Sequence, residues 1–258
     1  MTNGDSEKSV EDYGRRRVPL LGIGVTPFTA AQVGNLIQTC PDKRLLIVGH
    51  NLHSTYLLRK DRLFAEVYER ADITLIDGQP VRLLCGFGES GRPSSEYRVG
   101  SVDWLSTVGR SWKVDRIAVI GASILSNSRT VAHLTRMSGS TVRGWHGEQW
   151  SESRAQQVIE ELAIYRPSLT IVGLGMPLQE HFFHEYENLL PQAPVALVGG
   201  AIDQLSGWQV RAPDWIGKLG LEWLWRLSRD PRRLGHRYLV EPLLLAGEIV
   251  REKWQLTR

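Results

Sequence analysis

An aspartate at the end of an apolar segment is the residue of this sequence best suited to acid–base chemistry. Asp77 follows the apolar run Ile73–Ile76 and precedes Gly78. Burial of a carboxyl group in a cleft raises its pKa, and such a group can accept a proton from a substrate hydroxyl. An aspartate at this place is also typical of a turn or a helix N-cap, so the residue alone leaves a structural role open.

Glycine-rich segments follow other apolar runs and are candidates for binding phosphate. Glycine lets a backbone approach a phosphate group closely, and free N–H groups at the start of a following helix can bind it. The amide of Gln179 lies at such a helix start and suits a sugar hydroxyl or a phosphate. A tight turn between strand and helix would contain the same glycines. The candidate binding residues of these segments are Asn51, Gly173, Gly175, Gln179, Gly199, Gly200 and Asp203.

A phosphate group bound at these segments needs a positive partner. The sequence favours arginine over a metal ion for this role. The chain contains no Asp-x-Asp triplet, with which many nucleotide-sugar enzymes hold a divalent metal. The planar guanidinium group of arginine also matches phosphate oxygens. Among the seven histidines, His181 and His184 are three residues apart but have no evident third ligand. We therefore expect no metal and no other cofactor.

The elements that position these residues follow from the alternation of short apolar runs with helical patterns. This alternation predicts an α/β fold with a mostly parallel sheet flanked by helices. Thr29 and Gln32 predict a capping box at the first helix. The predicted strands span residues 18–25, 45–48, 73–76, 116–120, 141–145, 169–172 and 195–198, and the predicted helices between them span 30–39, 51–70, 126–137, 151–164 and 178–190.

The chain divides into three segments of different composition. Residues 1–17 are polar and predict a flexible leader, residues 18–210 a catalytic α/β domain, and residues 211–258 a basic helical appendage. The appendage is predicted to contain helices over 214–228 and 231–254, interrupted near Pro242. An apolar stripe on the second helix follows a basic stretch, which suits an anionic membrane surface. Packing against the catalytic domain or a partner subunit in a homo-oligomer is the alternative. The stripe contains Leu239, Leu243, Val250 and Trp254, and the preceding arginines are Arg229, Arg232, Arg233 and Arg237.

Composition excludes several classes of protein. The net charge of +3 is too small to suggest a nucleic-acid partner. Two cysteines, Cys40 and Cys85, lie in apolar surroundings without metal-ligand spacing, which indicates reduced thiols in a cytoplasmic protein. No apolar run approaches the ~20 residues of a membrane span, so we expect any membrane contact to be peripheral.

Ten short blocks follow one another in a specific order between about Leu20 and Tyr238. The blocks are Asn51, Ala71-Asp72, Ile76-Asp77-Gly78, Arg98 with Asp103, Val172 to Glu180, Gly199 to Asp203, Arg211-Ala212-Pro213, Leu221 to Leu227, Pro231-Arg232-Arg233 and Arg237-Tyr238. Each block is weak alone, but in this order they resemble the WecG/TagA/CpsF glycosyltransferase family.

The resemblance implies inverting, metal-independent transfer of a sugar from a UDP-sugar to a sugar on a polyprenyl diphosphate. It also implies a Rossmann-like catalytic domain in a cytoplasmic enzyme, which its appendage holds peripherally on the inner face of the bacterial inner membrane. Asp77 resembles the general base of the family. Pocket residues are matched by Asn51, Arg98 and Gln179, and arginines that close over the donor diphosphate by Arg226 and Arg233.

Several departures from the family pattern concern the pocket. Gly49 stands where many members have threonine, Leu178 replaces a common lysine, and the glycine after Arg98 is displaced to Gly100. His236 occupies the place of a third appendage arginine, although Arg237 is adjacent to it.

Two segments, 51–55 and 98–101, are similar to the exopolysaccharide glucosyltransferases of the xanthan and acetan type. This similarity predicts a β-linked glucose product. The alternatives are a UDP-N-acetylmannosamine or UDP-N-acetylmannosaminuronate transferase of the same family and a non-catalytic protein that binds a nucleotide or a lipid. A nicotinamide-dependent oxidoreductase is disfavoured by the missing dinucleotide fingerprint.

Overall fold

A parallel six-stranded sheet forms the centre of the protein. The computed structural model describes residues 14–87, 91–109, 112–209, 212–213, 216 and 221–256, apart from the side chains of Arg233 and Leu256. Its strands are β3 (Leu46–His50), β4 (Ile73–Ile76), β5 (Arg116–Gly121), β6 (Thr141–Trp145), β7 (Leu169–Gly173) and β8 (Val195–Leu197). All the neighbouring strands of this sheet run parallel, in the order β4-β3-β8-β7-β5-β6. The predicted α/β fold is thereby confirmed.

The first predicted strand, over residues 18–25, is wrong in form. The structure has two short antiparallel strands there, β1 (Arg16–Val18) and β2 (Ile23–Val25). Between them a turn places Gly22 in the left-handed region, at φ +68°, which reverses the chain. Arg16 and Arg17 belong to β1, although the sequence assigns them to the leader; residues 1–13 of that leader lie outside the described residues.

Helices cover both faces of the sheet. They are α1 (Ala30–Thr39), α2 (Leu52–Leu57), α3 (Arg62–Arg70), α4 (Gln79–Leu84), α5 (Ser101–Leu105), α6 (Ile124–Ser138), α7 (Glu152–Tyr165), α8 (Leu178–Tyr186) and α9 (Ala201–Leu205). One apolar core lies under α1, α5, α6 and α9, and a second lies under α3, α7 and α8. The capping box of Thr29 and Gln32 is present at the start of α1. The helix predicted over 51–70 is divided into two, because the Asp61 carboxylate accepts from the Phe64 N–H and starts a new helix there.

The described part of the appendage is helical. Of the helix predicted over 214–228, residues 214, 215 and 217–220 lie outside the described residues. The second predicted helix is interrupted before Pro242 by a π-helical turn, in which the Glu241 N–H donates to the His236 carbonyl. The appendage consists of α10 (Glu222–Arg229), α11 (Pro231–Gly235), the π-helical turn (His236–Val240) and α12 (Glu241–Leu256).

The last helix, α12, packs against the catalytic domain of its own chain with its acidic face. Glu252 accepts two hydrogen bonds from the Arg59 guanidinium, at 2.8 and 3.1 Å, and Glu248 pairs with Lys60. Leu245 is buried among apolar residues of β1, β2 and α4. The predicted apolar stripe therefore points outward, with Leu243 at 74% exposure and Trp254 at 68%. Within the described ranges, none of the helices has the length and apolarity needed to cross a bilayer.

Candidate active site

Asp77 lies at the carboxyl edge of the sheet, immediately after β4. Its N–H donates to the His50 carbonyl at 3.0 Å, so the ends of β3 and β4 are joined beside it. Two glycines flank its side chain. A Cβ atom at Gly49 would lie 3.0 Å from the Asp77 Cβ, and one at Gly100 would lie 2.8 Å from its Oδ1. Both departures from the family pattern thus leave room around this carboxyl group.

The surroundings of Asp77 suit it to accept a proton near neutral pH. Burial raises the pKa of Asp77 to about 6, against the hydrogen bond from Asn51 and the charges of Arg226 and Arg237, which lower it. The nearby charge of Glu222 raises it further. At pH 7 this carboxyl group is largely ionised, while its pKa is much closer to that pH than an ordinary aspartate's. A group of this kind is matched to general-base catalysis.

Asn51 holds the Asp77 carboxylate through an amide whose orientation is fixed by the helix that follows. The Asn51 Oδ1 accepts from the Ser54 N–H at 3.0 Å, and the Ser54 Oγ accepts from the Asn51 N–H at 3.0 Å, which forms a capping box for α2. Because the cap uses the oxygen, the amide nitrogen faces the Asp77 carboxylate. Its Nδ2 donates to the Asp77 Oδ2 at 3.0 Å.

Asn51→Asp is expected to move the acidic limb of the pH–rate profile upward by about one unit or more. The new carboxylate can still cap α2, but it removes the donor to Asp77 and adds a like charge, and both changes raise the pKa of Asp77. A hydrogen bond to a charged group contributes ~1.5–3 kcal/mol, and one pKa unit corresponds to about 1.4 kcal/mol. Steady-state rates between pH 5 and 8 measure the shift.

Asn51→Ser is the matched control, since serine also caps a helix but adds no charge. We expect the acidic limb of its pH–rate profile to move upward as well, but by less than the limb of Asn51→Asp. An Asn51→Asp enzyme with the wild-type profile would show that this amide does not govern the base.

Arg98 is brought to the same end of the sheet by a backbone bridge. The Val99 N–H donates to the Ile76 carbonyl at 2.9 Å, next to the end of β4. The Arg98 guanidinium lies 3.5 Å from the Glu222 carboxylate of α10, and both side chains are partly exposed. Asp103 instead accepts from the Gly100 N–H at 2.9 Å, which caps α5. The contact between Arg98 and Glu222 therefore joins the catalytic domain to the appendage beside Asp77.

The candidate glycines lie at or just beyond the carboxyl ends of β7 and β8, next to the end of β5. A Cβ atom at Gly121 would lie 2.3 Å from the Gly173 carbonyl oxygen, and one at Gly173 would lie 2.7 Å from the Gly199 carbonyl oxygen. Gly175 and Gly199 have φ values of +85° and +55°. The helices after these strands leave on alternate faces of the sheet, and open α/β sheets bind ligands in the crevice that such an arrangement forms beyond the carboxyl ends of the strands.

Gln179, a predicted pocket residue, lies in the first turn of α8. The residue is fully buried beneath the glycine loops. Its Oε1 accepts from the Gly199 N–H at 2.9 Å, and its Nε2 donates to the Glu180 Oε1 at 2.9 Å. Asp203 is half-buried in the first turn of α9. Gln179 therefore supports the Gly199–Gly200 turn from below.

Arginines of the appendage face Asp77 and the glycine turn. The charge of Arg226 lowers the pKa of Asp77, and its Nη2 would lie 3.9 Å from a Cβ atom at Gly200. Arg237 acts on Asp77 in the same direction, and its Nε is shielded from solvent without a hydrogen-bond partner among the described residues. The side chain of Arg233, a predicted site residue, lies outside the described residues.

Sequence reasoning missed Arg237 and Glu222 as neighbours of Asp77. Glu222 is one helical turn before Arg226, and this spacing is a signal that could have placed both on one face of α10. The place of Arg237 depends on the π-helical turn, which adds a residue to the turn and changes which side chain faces the cleft.

The two histidines of α8 act as partners of α3 and its cap. His181 lies 2.6 Å from the Asp61 carboxylate, and His184 lies 3.1 Å from Glu66. Across the described ranges, no cluster of three or more His, Cys, Asp or Glu side chains is arranged to hold a metal ion.

The parallel sheet, the carboxyl group at its edge and the arginines facing it suit a group-transfer enzyme of the glycosyltransferase class. Comparison with known families gives the same result. Residues 18–258 match the model of the Glycosyl transferase WecG/TagA/CpsF family, and the chain belongs to this family.

Relatives from several bacteria share one name, N-acetylglucosaminyldiphosphoundecaprenol N-acetyl-beta-D-mannosaminyltransferase. The chain is 28% identical to the protein of Bacillus spizizenii over 194 residues, which is 74% of each chain. It is 42% identical to that of Bacillus subtilis over 76 residues, 30% of each chain. With that of Staphylococcus aureus it shares 29% identity over 90 residues, 35% of each chain.

Proposed function

We propose that this enzyme transfers a hexose, with inversion, from a UDP-sugar to a sugar carried on a polyprenyl diphosphate. The observation that carries the proposal is the Asp77 carboxyl group, with a pKa raised to about 6 by burial and arginines of the appendage facing it. A base beside positive charge is what glycosyl transfer to a hydroxyl group needs, because a proton leaves the acceptor while a negative diphosphate leaves the donor. The acceptor is inferred from the relatives' name, which contains a diphosphoundecaprenol.

In the proposed reaction, Asp77 accepts the proton of the acceptor hydroxyl as its oxygen attacks the anomeric carbon of the donor. A new carbon–oxygen bond forms, and the bond between that carbon and the diphosphate oxygen breaks. UDP departs with the bonding electron pair. Attack opposite to the leaving group inverts the configuration, so an α-linked donor gives a β-linked product.

The positive charge for the leaving UDP is assigned to the appendage. Arg226 extends between Asp77 and the Gly199–Gly200 turn, and Arg237 supplies a shielded Nε that has no hydrogen-bond partner in the described part of the chain. Arg233 is included on family resemblance alone. Because arginines supply the charge, we propose that no metal takes part. The glycine loops beyond β7 and β8 leave space for the diphosphate, since among the described residues nothing lies within 4 Å of a Cβ atom at Gly175 or Gly199. Arg98 lies beside the end of β4, close to Asp77.

For the donor we propose UDP-glucose, as in the exopolysaccharide glucosyltransferases that residues 51–55 and 98–101 resemble. Gly49 and Gly100 support a donor different from that of the typical family member, since they change the space next to Asp77. The second candidate is UDP-N-acetylmannosamine, which the relatives' name favours. UDP-N-acetylmannosaminuronate belongs to the same alternative.

A panel of UDP-sugars with polyprenyl-diphosphate-linked glucose and N-acetylglucosamine as acceptors tests both candidates. UDP release and the glycolipid product are measured together, and the anomeric configuration of the product is read by NMR. A β-linked glucoside supports the proposal, and a β-linked N-acetylmannosaminide supports the second candidate. A product of retained configuration, or no glycolipid product with any donor, would contradict the proposed transfer.

We propose that the outward apolar face of α12 rests on the cytoplasmic surface of the inner membrane, where a polyprenyl acceptor resides. Leu243 and Trp254 are both largely exposed, and the acidic face of α12 is already used by Arg59 and Lys60. Basic residues near an anionic bilayer add ~1 kcal/mol each.

Leu243→Glu with Trp254→Glu is expected to reduce flotation with vesicles that contain phosphatidylglycerol. Both positions are exposed, so the fold should tolerate the changes, and they would place two carboxylates against an anionic surface. Ile164→Glu is the matched control, because Ile164 is 82% exposed on α7. Equal flotation of the double variant, the control and the wild type would exclude this face as the membrane contact.

A further inference from the structure

A second carboxyl group lies directly beneath the glycine loops, in the first turn of α8. Glu180 is fully buried. Its Oε1 accepts from the Gln179 Nε2 at 2.9 Å, whereas its Oε2 is buried without a hydrogen-bond partner. No salt bridge joins it to a cation within the described residues. A buried carboxylate without a positive partner is strongly unfavourable, so this group retains its proton at neutral pH.

The charged and titratable groups around Glu180 agree with this protonation state. Burial raises the pKa of Glu180 to about 8, and the negative charge of Asp61, at the start of α3, acts in the same direction. Asp61 is itself paired with His181 of α8. Tyr68 of α3 also faces Glu180, and burial raises its pKa well above the ordinary range, so it stays neutral.

Two hydrogen bonds connect Glu180 to the backbone that borders the crevice. The Gly199 N–H can donate only to an oxygen, which requires the Gln179 Oε1 to point towards it. The Gln179 Nε2 must then point the other way, where it finds the Glu180 Oε1. Gly199 has a left-handed backbone, and Arg226 lies close to the next residue, Gly200.

We propose that Glu180, as a neutral acid, is a positioning residue that fixes the Gln179 amide and thereby holds the Gly199–Gly200 turn at the diphosphate end of the donor site. The donor part of this proposal rests on the proposed function. Ionisation of Glu180 would place a charge in the buried layer below the loops, and the structure could relieve it only by admitting water or by moving the side chain. Either change releases Gln179 and loosens the turn.

The decisive comparison is between wild type and Glu180→Gln. Glutamine keeps the oxygen that accepts from Gln179 and cannot ionise. We expect the wild-type kcat/KM for the donor to fall above about pH 8 and that of Glu180→Gln to stay level to pH 9. If Glu180 served packing alone, kcat/KM would depend on pH in the same way in both proteins above about pH 8. An alkaline fall in Glu180→Gln equal to that of wild type overturns the proposal.

Glu180→Leu removes the acceptor and is expected to raise the KM for the donor about tenfold at pH 7, with a smaller change in kcat. A loss of this size corresponds to leaving one buried hydrogen-bonding group without its partner. If the leucine variant does not fold, the pH profile of Glu180→Gln decides the question alone. A folded leucine variant with the wild-type KM also overturns the proposal.

Hydrogen exchange at the Gly199 amide tests the same link without turnover. After correction for intrinsic exchange, protection of this amide should fall above about pH 8 in wild type and persist in Glu180→Gln. Unchanged protection in both proteins contradicts the role of Glu180. If wild type turns over no UDP-sugar, the proposed function fails, while the exchange result still decides whether Glu180 holds the turn.

The thermal stability of the two proteins provides a further readout. The folded protein keeps a proton on Glu180 that the unfolded chain releases above its ordinary pKa of 4.5, so stability falls as pH rises from there towards 8. Glu180→Gln removes this loss. Its melting temperature should therefore exceed that of wild type by more at pH 8 than at pH 5; an equal difference at both values counts against a neutral Glu180.

Discussion

Asp77→Asn is expected to lower kcat by a factor of ~10²–10⁴, the usual contribution of a general base. Asparagine has the shape of aspartate and can still accept from the Asn51 Nδ2, so the cleft should keep its geometry. It cannot accept the proton of the acceptor hydroxyl. UDP release with saturating donor and acceptor measures the loss, and donor affinity, measured separately, should change much less.

The dependence of the rate on pH tests whether Asp77 is the group whose loss lowers kcat. Burial raises the pKa of Asp77 to about 6, and only the ionised form can act as a base. The wild-type rate should therefore rise tenfold per pH unit below about pH 6 and then level off, until the alkaline fall that the ionisation of Glu180 is expected to cause. The residual rate of Asp77→Asn should lack this limb. Wild-type turnover by the purified asparagine variant would refute the assignment.

Stability provides the control on the fold of Asp77→Asn. The folded pKa of Asp77 exceeds its ordinary value of 3.8, so the native state holds a proton that the unfolded state releases between those values. The ionised carboxyl group therefore costs stability at pH 7, and the variant should melt at or above the wild-type temperature. Asp72→Asn is a matched substitution in the same segment; Asp72 accepts from the Leu46 N–H far from the cleft, and its variant should retain activity.

The central domain could be predicted from the sequence because its signals are local. Buried parallel strands are continuous apolar runs, so the order of residues alone places Asp77 at the end of one such strand. The cap formed by Thr29 and Gln32 is likewise readable from spacing. The hairpin near Gly22 was missed, because two three-residue strands separated by a turn contain the same apolar residues as one longer strand.

The parts of the site that the sequence did not indicate depend on tertiary contacts. An amide such as that of Gln179 has the same local context whether it faces a ligand or the core, and only the distant Gly199 N–H determines its direction. The periodicity of α12 revealed an apolar stripe, but its outward direction depends on the contacts of Glu252 and Glu248 with Arg59 and Lys60, nearly two hundred residues earlier. The role of Arg237 required knowledge of a π-helical turn.

Arg226→Ala is the second substitution with a large expected effect, a loss of ~10²–10³ in kcat. One donor that stabilises a developing negative charge in a shielded site contributes roughly 3–4 kcal/mol to the transition state. The loss should appear mainly in kcat, because the charge on the diphosphate increases as its bond to the sugar breaks. Single-turnover rates of sugar transfer measure it directly.

The same substitution should also change the base, which separates Arg226 from an arginine that only binds the donor. The charge of Arg226 lowers the pKa of Asp77, so its removal raises that pKa above about 6 and moves the acidic limb to higher pH. Arg226→Lys keeps a positive charge, so its acidic limb should lie closer to that of wild type than the limb of Arg226→Ala. Its kcat should recover less, since an ammonium lacks the planar fork that matches phosphate oxygens.

Arg229→Ala is the matched control on the same helix. Its guanidinium lies over the Trp225 ring, 5.3 Å from the ring centroid, and the residue is exposed. We expect this variant to retain its kcat and its acidic limb, because removing it leaves the charge beside Asp77 unchanged. Similar losses in the Arg226 and Arg229 variants would mean that α10 acts through its overall positive charge, and the specific role of Arg226 at the leaving diphosphate would then be wrong.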